Sequence, residues 1–121
     1  MTCIDARDLD PEENYKLLTG VVVPRPIAWV LTRSAAGVLN LAPFSAFTFV
    51  SSKPVMLGIN IGRKAGVRKD TAQNILSARE YVVHIADRSL AEPLHASAEE
   101  VPPDVSEVQM LGLDTQPSVQ V

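Results

Sequence analysis

Between residues 21 and 61 the chain sets β-branched and aromatic residues in short runs, and each run is cut by a proline or by a turn containing glycine or serine. Runs this short fall far below the roughly 20 apolar residues of a membrane-spanning helix, and their composition favours strands. Val21-Val22-Val23 and Ile27-Ala28-Trp29-Val30-Leu31-Thr32 read as two strands separated by Pro24-Arg25-Pro26, which confines that stretch to a sheet edge or a bend. Ser34-Ala35-Ala36-Gly37 is a turn signal, so residues 38–41 should return as the second strand of a hairpin. Phe44, Phe47, Phe49 and Val50 precede the break at Ser51-Ser52-Lys53-Pro54, and residues 55–61 give the clearest signal of a buried strand. Residues 81–85 supply another. Trp29 and the three phenylalanines are assigned to the core, with Phe44 or Phe47 the alternative candidates to face a ring system. The pattern implies one mainly β domain over residues 1–121, an antiparallel barrel or sandwich with peripheral helices.

Helix signals flank these strands. Asp10-Pro11-Glu12-Glu13 combines an acidic cap, a proline at the first helical position and a glutamate three residues after the cap, so a helix should run from there to about Gly20. A second is expected from Asp70, with Asp70 as its cap and Gln73 in the capping-box position, to about Leu76. Ser89 with Glu92 marks a third, short one that Pro93 can join. The acidic stretch 99–107, with Pro102 and Pro103, reads as a solvated loop, and residues 110–121 show a turn without a complete element.

Composition narrows the function. A net charge of −3 argues against nucleic acid as the main partner, although Arg63, Lys64, Arg68 and Lys69 put four of the eleven basic residues within seven positions. The first ten residues are too acidic and polar for a signal peptide, which makes the cytoplasm the expected compartment and a membrane an unexpected partner. The single cysteine, Cys3, builds neither a disulfide frame nor a thiolate metal site, and no metal cluster or nucleophile dyad stands out, so no catalytic side chain is assigned.

Two segments carry the chemistry. Arg68-Lys69-Asp70-Thr71, with Asn74 a turn later, places two cations beside a helix start, where free backbone N–H groups attract an anion; a solvated turn is the competing explanation. Lys69 and Thr71, as a charge and a hydroxyl donor, are the leading phosphate partners. Asn40-Leu41-Ala42-Pro43-Phe44-Ser45 offers small polar groups and a proline break that exposes backbone to a flat ligand, or else merely ends a strand. Together they suggest a phosphorylated planar ligand that would bring its own reactivity. Arg25, held between prolines, is either a rigid ligand-facing cation or part of a structural bend; His84 is either a hydrogen-bonded structural residue or a proton-transfer group, and His95 a surface residue.

The ordered series Tyr15-Lys16-Leu17-Leu18-Thr19-Gly20, Pro24-Arg25-Pro26-Ile27-Ala28-Trp29-Val30, Asn40-Leu41-Ala42-Pro43-Phe44-Ser45, Ser51 with Pro54, Arg68-Lys69-Asp70-Thr71 with Asn74-Ile75, and Glu80-Tyr81-Val82-Val83 resembles the flavin reductase-like family of FMN-binding split barrels, which includes flavoredoxin. The resemblance runs from residue 15 to residue 121 and implies a Greek-key split β-barrel that forms a homodimer, with FMN near the subunit interface. It implies that residues 40–45, Phe47 and Thr48 line the isoalloxazine ring, with Ser45 and the backbone of 42–45 near flavin N5 and O4. Ser51, Arg68, Lys69, Asp70, Thr71 and Asn74 then correspond to the ribityl and phosphate end. The implied reaction is hydride transfer from NADH or NADPH to flavin N5, with the electrons or the reduced flavin passed on.

The chain departs from the family pattern at Pro54-Val55 and at Val82-Val83-His84, and it stops at Val121, soon after Gly112-Leu113 and Pro117-Ser118, where relatives continue into further strands. An incomplete barrel is therefore expected, its exposed edges covered by the rest of a longer chain or by a second copy. A non-catalytic FMN carrier or flavin store, or an assembly module that has lost flavin, is the alternative function.

Overall fold

The computed structural model describes residues 3–121. Its centre is a hairpin of Ala28–Arg33 (β1) and Leu39–Phe44 (β2), paired antiparallel from Ala28↔Phe44 to Arg33↔Leu39. The turn closes where expected: Ser34 N donates to Val38 O at 2.9 Å, and Gly37 takes the positive φ of 84° that glycine permits. Val82–His84 (β7) pairs with the other side of β1, giving the order β2-β1-β7. Because β2 lies at an edge, Pro43 removes no ladder donor that the sheet needs.

Side chains alternate along β1, which sorts the core onto two faces. Ala28 and Val30 pack with Phe44, and Phe47, Ile59, Ile75 and Val83 surround them. Trp29 packs oppositely with Leu41 and Val108, flanked by Leu31, Leu94 and Leu113. Thr32 continues the first face and meets the helix Asp70–Ala78 (α2) there.

A second hairpin, Phe47–Ser52 (β3) with Val55–Ile59 (β4), is irregular between Phe49 and Ser51 and pairs only with itself. Here the burial expected from hydrophobicity fails: Val55 is 81% and Phe49 78% exposed, with Met56 and Leu57 also exposed. Only the Phe47–Ile59 end of this two-stranded ribbon packs on the core, and among the described residues nothing buries its far end. A third hairpin, Arg63–Lys64 (β5) with Val67–Arg68 (β6), turns through Ala65 and Gly66, both at positive φ, where a plain loop was expected.

The first helix, Pro11–Val21 (α1), starts as the sequence requires. Asp10 accepts from the Glu12 and Glu13 amides at 2.8 Å, and Glu13 accepts from the Asp10 amide at 2.9 Å, completing a capping box. It absorbs Val21, so residues 21–23 do not form a strand. Arg25 Nη1 instead donates to Thr19 O (2.7 Å) and Val22 O (2.8 Å), satisfying carbonyls at the helix end and favouring the structural account of this arginine.

In α2 the cap is Lys69, without a side-chain bond, and Asp70 is the first helical residue rather than the cap. Gln73 Nε2 donates to Arg68 O instead of closing a capping box, and the helix continues two residues past Leu76. A 3-10 turn at Arg88–Leu90, capped by Asp87 rather than Ser89, leads into Ala91–Ala96 (α3). The acidic stretch ends in an unexpected short helix, Glu107–Met110 (α4), whose first two residues are buried.

Candidate functional site

One cavity of about 450 Å³ opens between β2, the β5–β6 hairpin, the start of α2 and the segment after α3. It unites the two segments singled out in the sequence: Asn40, Ala42, Pro43 and Phe44 form one wall, and Arg68, Lys69, Asp70 and Thr71 another. The remaining candidates lie elsewhere. Leu41, pointing to the opposite face of β2, enters the Trp29 cluster and lines a second cavity of about 360 Å³ with His84. His84 itself is exposed. Ser45 accepts from Arg25 Nε at 3.4 Å, Phe47 packs on the core, Thr48 is exposed on β3, and Ser51 accepts from the Lys53 amide at the β3–β4 turn. Asn74 is buried one turn behind Thr71.

Asn40, Thr71 and Asn74 are joined to one another through hydrogen bonds. The Thr71 hydroxyl donates to Asn40 Oδ1 at 2.8 Å, and Thr32 Oγ1 lies 3.4 Å from the same oxygen. Asn74 Nδ2 donates to Thr32 Oγ1 at 3.0 Å. The network ends on Glu107, 4% exposed, whose Oε1 accepts from Asn40 Nδ2 and whose Oε2 accepts from the Leu41 amide, both at 3.0 Å. That amide points away from β1 on the free edge of β2, so the carboxylate satisfies a donor that the sheet leaves unpaired. With its proton directed at Asn40, the Thr71 hydroxyl is not the free donor that the sequence suggested.

The cavity's charge is mixed. Lys64, Arg68 and Lys69 face Glu99, Glu100 and Glu107, and Lys64 is ion-paired with Glu100 at the rim. The hydrogen bond from Lys64 holds the Glu100 carboxyl below its usual range, with the charges of Lys64 and Lys69 adding to the effect. On the deeper side, Ser97 lines the cavity; its Oγ accepts from Trp29 Nε1 and donates to Leu94 O, both at 2.8 Å.

Sequence reasoning missed the 97–101 wall and Glu107. The glutamate sits in a stretch whose prolines and acids resemble solvated loop, and its partners lie 66 and 67 residues away, beyond any local signal. Among the described residues there is no group of three or more His, Cys, Asp or Glu side chains placed to hold a metal, and no helix long and apolar enough to cross a membrane.

The family described as "Flavin reductase like domain" matches residues 20–121. An uncharacterised protein of Halalkalibacterium halodurans is 47% identical over 111 residues, covering 91% of this chain and 53% of the relative. Nitrilotriacetate monooxygenase component B from Bacillus cereus superposes with a TM-score of 0.94 at 39% identity, over 100% of this chain and 60% of that one. A candidate flavin reductase with a split barrel domain from Shewanella frigidimarina shares the fold, with a TM-score of 0.75 at 18% identity, over 94% of this chain and 56% of its own. The chain thus spans between about half and three fifths of the length of these proteins. Its separate sheets of three, two and two strands are an open, incomplete version of the split barrel.

Proposed function

The chain belongs to the flavin reductase like domain family, and from that premise we propose that it binds FMN in the 450 Å³ cavity and serves as an NAD(P)H-dependent flavin reductase. The observation that carries this reading is the meeting, in one cavity, of the 40–44 wall and the cationic start of α2, segments some thirty residues apart in the chain. The residues present suit the ligand. Ala42, Pro43 and Phe44 offer an apolar surface and strand-edge backbone to a flat ring, while Arg68, Lys69 and the first amides of the nine-residue α2 offer charge and N–H donors to a phosphate. Bound FMN would supply the capacity to accept hydride from a reduced nicotinamide.

The chain's own part is positional. Ala42, Pro43 and Phe44 would hold the ring, Arg68, Lys69 and the α2 amides would hold the phosphate, and the hydrogen-bonded set of Asn40, Thr71 and Glu107 would stay fixed, so that little reorganisation would accompany a change of charge in the cavity. The name of the Bacillus cereus protein, a monooxygenase component, favours delivery of reduced flavin or electrons to a second protein as the use of such a site. The exposed face of the β3–β4 hairpin favours a homodimer, or the remainder of a longer chain, as its cover.

The test is direct. Purified protein is titrated with FMN, then given NADH or NADPH without oxygen. Uptake of FMN with rapid bleaching supports the reductase; a yellow protein that does not bleach identifies a carrier or store instead. A chain that takes up no FMN removes both readings.

A further inference from the structure

Among the described residues, Glu107 is the only buried acidic side chain, and it lies in the cavity wall. A carboxylate can only accept hydrogen bonds. Both its oxygens do so, from the Leu41 amide and from Asn40 Nδ2. The second contact decides which way the Asn40 amide is turned. With Nδ2 drawn to Glu107, Oδ1 must face Thr71 and Thr32, where it too can only accept. The Thr71 proton therefore lies on the 2.8 Å line to Asn40, and the Thr71 oxygen keeps only lone pairs for anything beside it in the cavity.

We propose that Glu107 is a positioning residue that sets the hydrogen-bonding sense of this wall: through Asn40 it makes Thr71 an acceptor. A ligand hydroxyl or N–H is then favoured at Thr71, and an anionic oxygen is left to Arg68, Lys69 and the α2 amides. In its ligand half this rests on the flavin reading; the relay from Glu107 to Thr71 is testable without any ligand.

Glu107→Gln is nearly isosteric. Its oxygen can still accept from Leu41, but its Nε2 then faces Asn40 Nδ2, donor against donor. The Asn40 amide turns over, presents Nδ2 to Thr71, and frees the Thr71 proton to point elsewhere. The double change Asn40→Asp with Glu107→Gln reverses this at unchanged net charge. A carboxylate at position 40 accepts from the new amide and from both threonines, restoring the original sense.

The experiment compares the wild-type chain, Glu107→Gln and the double variant. Urea midpoints are measured without ligand, and the wild-type Asn40 side-chain amide signal, identified by its disappearance in Asn40→Asp, is followed by NMR. FMN and riboflavin affinities are then measured. Glu107→Gln is expected to lower the midpoint, shift the Asn40 signal and raise the ratio of FMN to riboflavin affinity by about three- to tenfold, the worth of one hydrogen bond. The double variant should return the midpoint and the ratio toward wild type.

Equal destabilisation of both variants, or a common fall in both flavin affinities with an unchanged ratio, overturns the proposal. A Glu107→Gln chain that fails to fold while the double variant folds supports it; failure of both overturns it. If the wild-type chain takes up neither flavin, the cavity reading falls separately, and the ligand-free recovery by the double variant still decides the relay.

Discussion

Deleting the same two methyl groups from Val30 and from Val55 should have very unequal consequences. Val30 is fully buried, at 0% exposure, in the centre of β1 against Ala28 and Phe44, whereas Val55 begins β4 at 81% exposure. Loss of buried methyl-sized groups removes roughly 0.8 kcal/mol of transfer energy each and leaves a partly uncollapsed cavity, so Val30→Ala should destabilise by about 2–3 kcal/mol. Val55→Ala removes methyls already in water and should change stability by less than about 0.5 kcal/mol. With a urea slope on the order of 1–3 kcal/mol/M, the first variant moves the unfolding midpoint by roughly 1 M and the second barely moves it. Both melts are run at a protein concentration where sedimentation shows a monomer. Equal shifts under those conditions would refute the burial argument. A Val55→Ala effect that grows with concentration would instead place a second copy on the β3–β4 face.

Three further outcomes are expected. Lys69→Ala combined with Arg68→Ala should weaken FMN by about tenfold or more and leave riboflavin almost unchanged, since charge-assisted bonds to phosphate are being removed; equal losses measured by fluorescence titration would move the phosphate away from α2. Arg25→Ala frees the carbonyls of Thr19 and Val22, and because α1 buries no residue, limited proteolysis near Gly20 should accelerate well before the global melting temperature falls. The Glu100 carboxyl is held below its usual range by Lys64, so the pair's stabilisation is present above the ordinary glutamate pKa and disappears as pH falls through the depressed one. Thermal melts of wild type and Glu100→Gln should therefore differ slightly near neutrality, because the pair is solvent-exposed, and converge once the pH has fallen below the depressed pKa; a gap that widens in acid would contradict the pairing.

Features specified by neighbouring residues were legible in the sequence. The Asp10–Glu13 capping box, the Ser34–Gly37 turn and the β1–β2 hairpin need no information from farther away, and all three appear. Residues 55–61 read as the clearest buried strand because hydrophobicity marks what benefits from burial, but not whether a covering element is present. The cap of α2 shifted by one residue because Asp70 suits the first turn of a helix as well as its cap, so Lys69 takes the cap position without a side-chain bond directly after the β5–β6 hairpin. At the site, the pairing of the 40–44 and 68–71 segments was foreshadowed by their chemistry. Glu107 was not, because its role arises from the free edge of β2, which exists only once the sheet is assembled.

The Trp29–Ser97 hydrogen bond gives this molecule an optical property of its own. Trp29 is the sole tryptophan in the chain, so all indole emission arises from one ring, buried at 4% exposure and tied to a serine that lines the larger cavity. Its emission should be blue-shifted in the native state and move to the red as the core opens. An absorber with a flavin's long-wavelength bands, seated in the cavity that Ser97 lines, would quench that emission by energy transfer. Unfolding and cavity occupancy can thus both be followed in the emission spectrum of the unlabelled protein, one as a colour shift and the other as a loss of intensity.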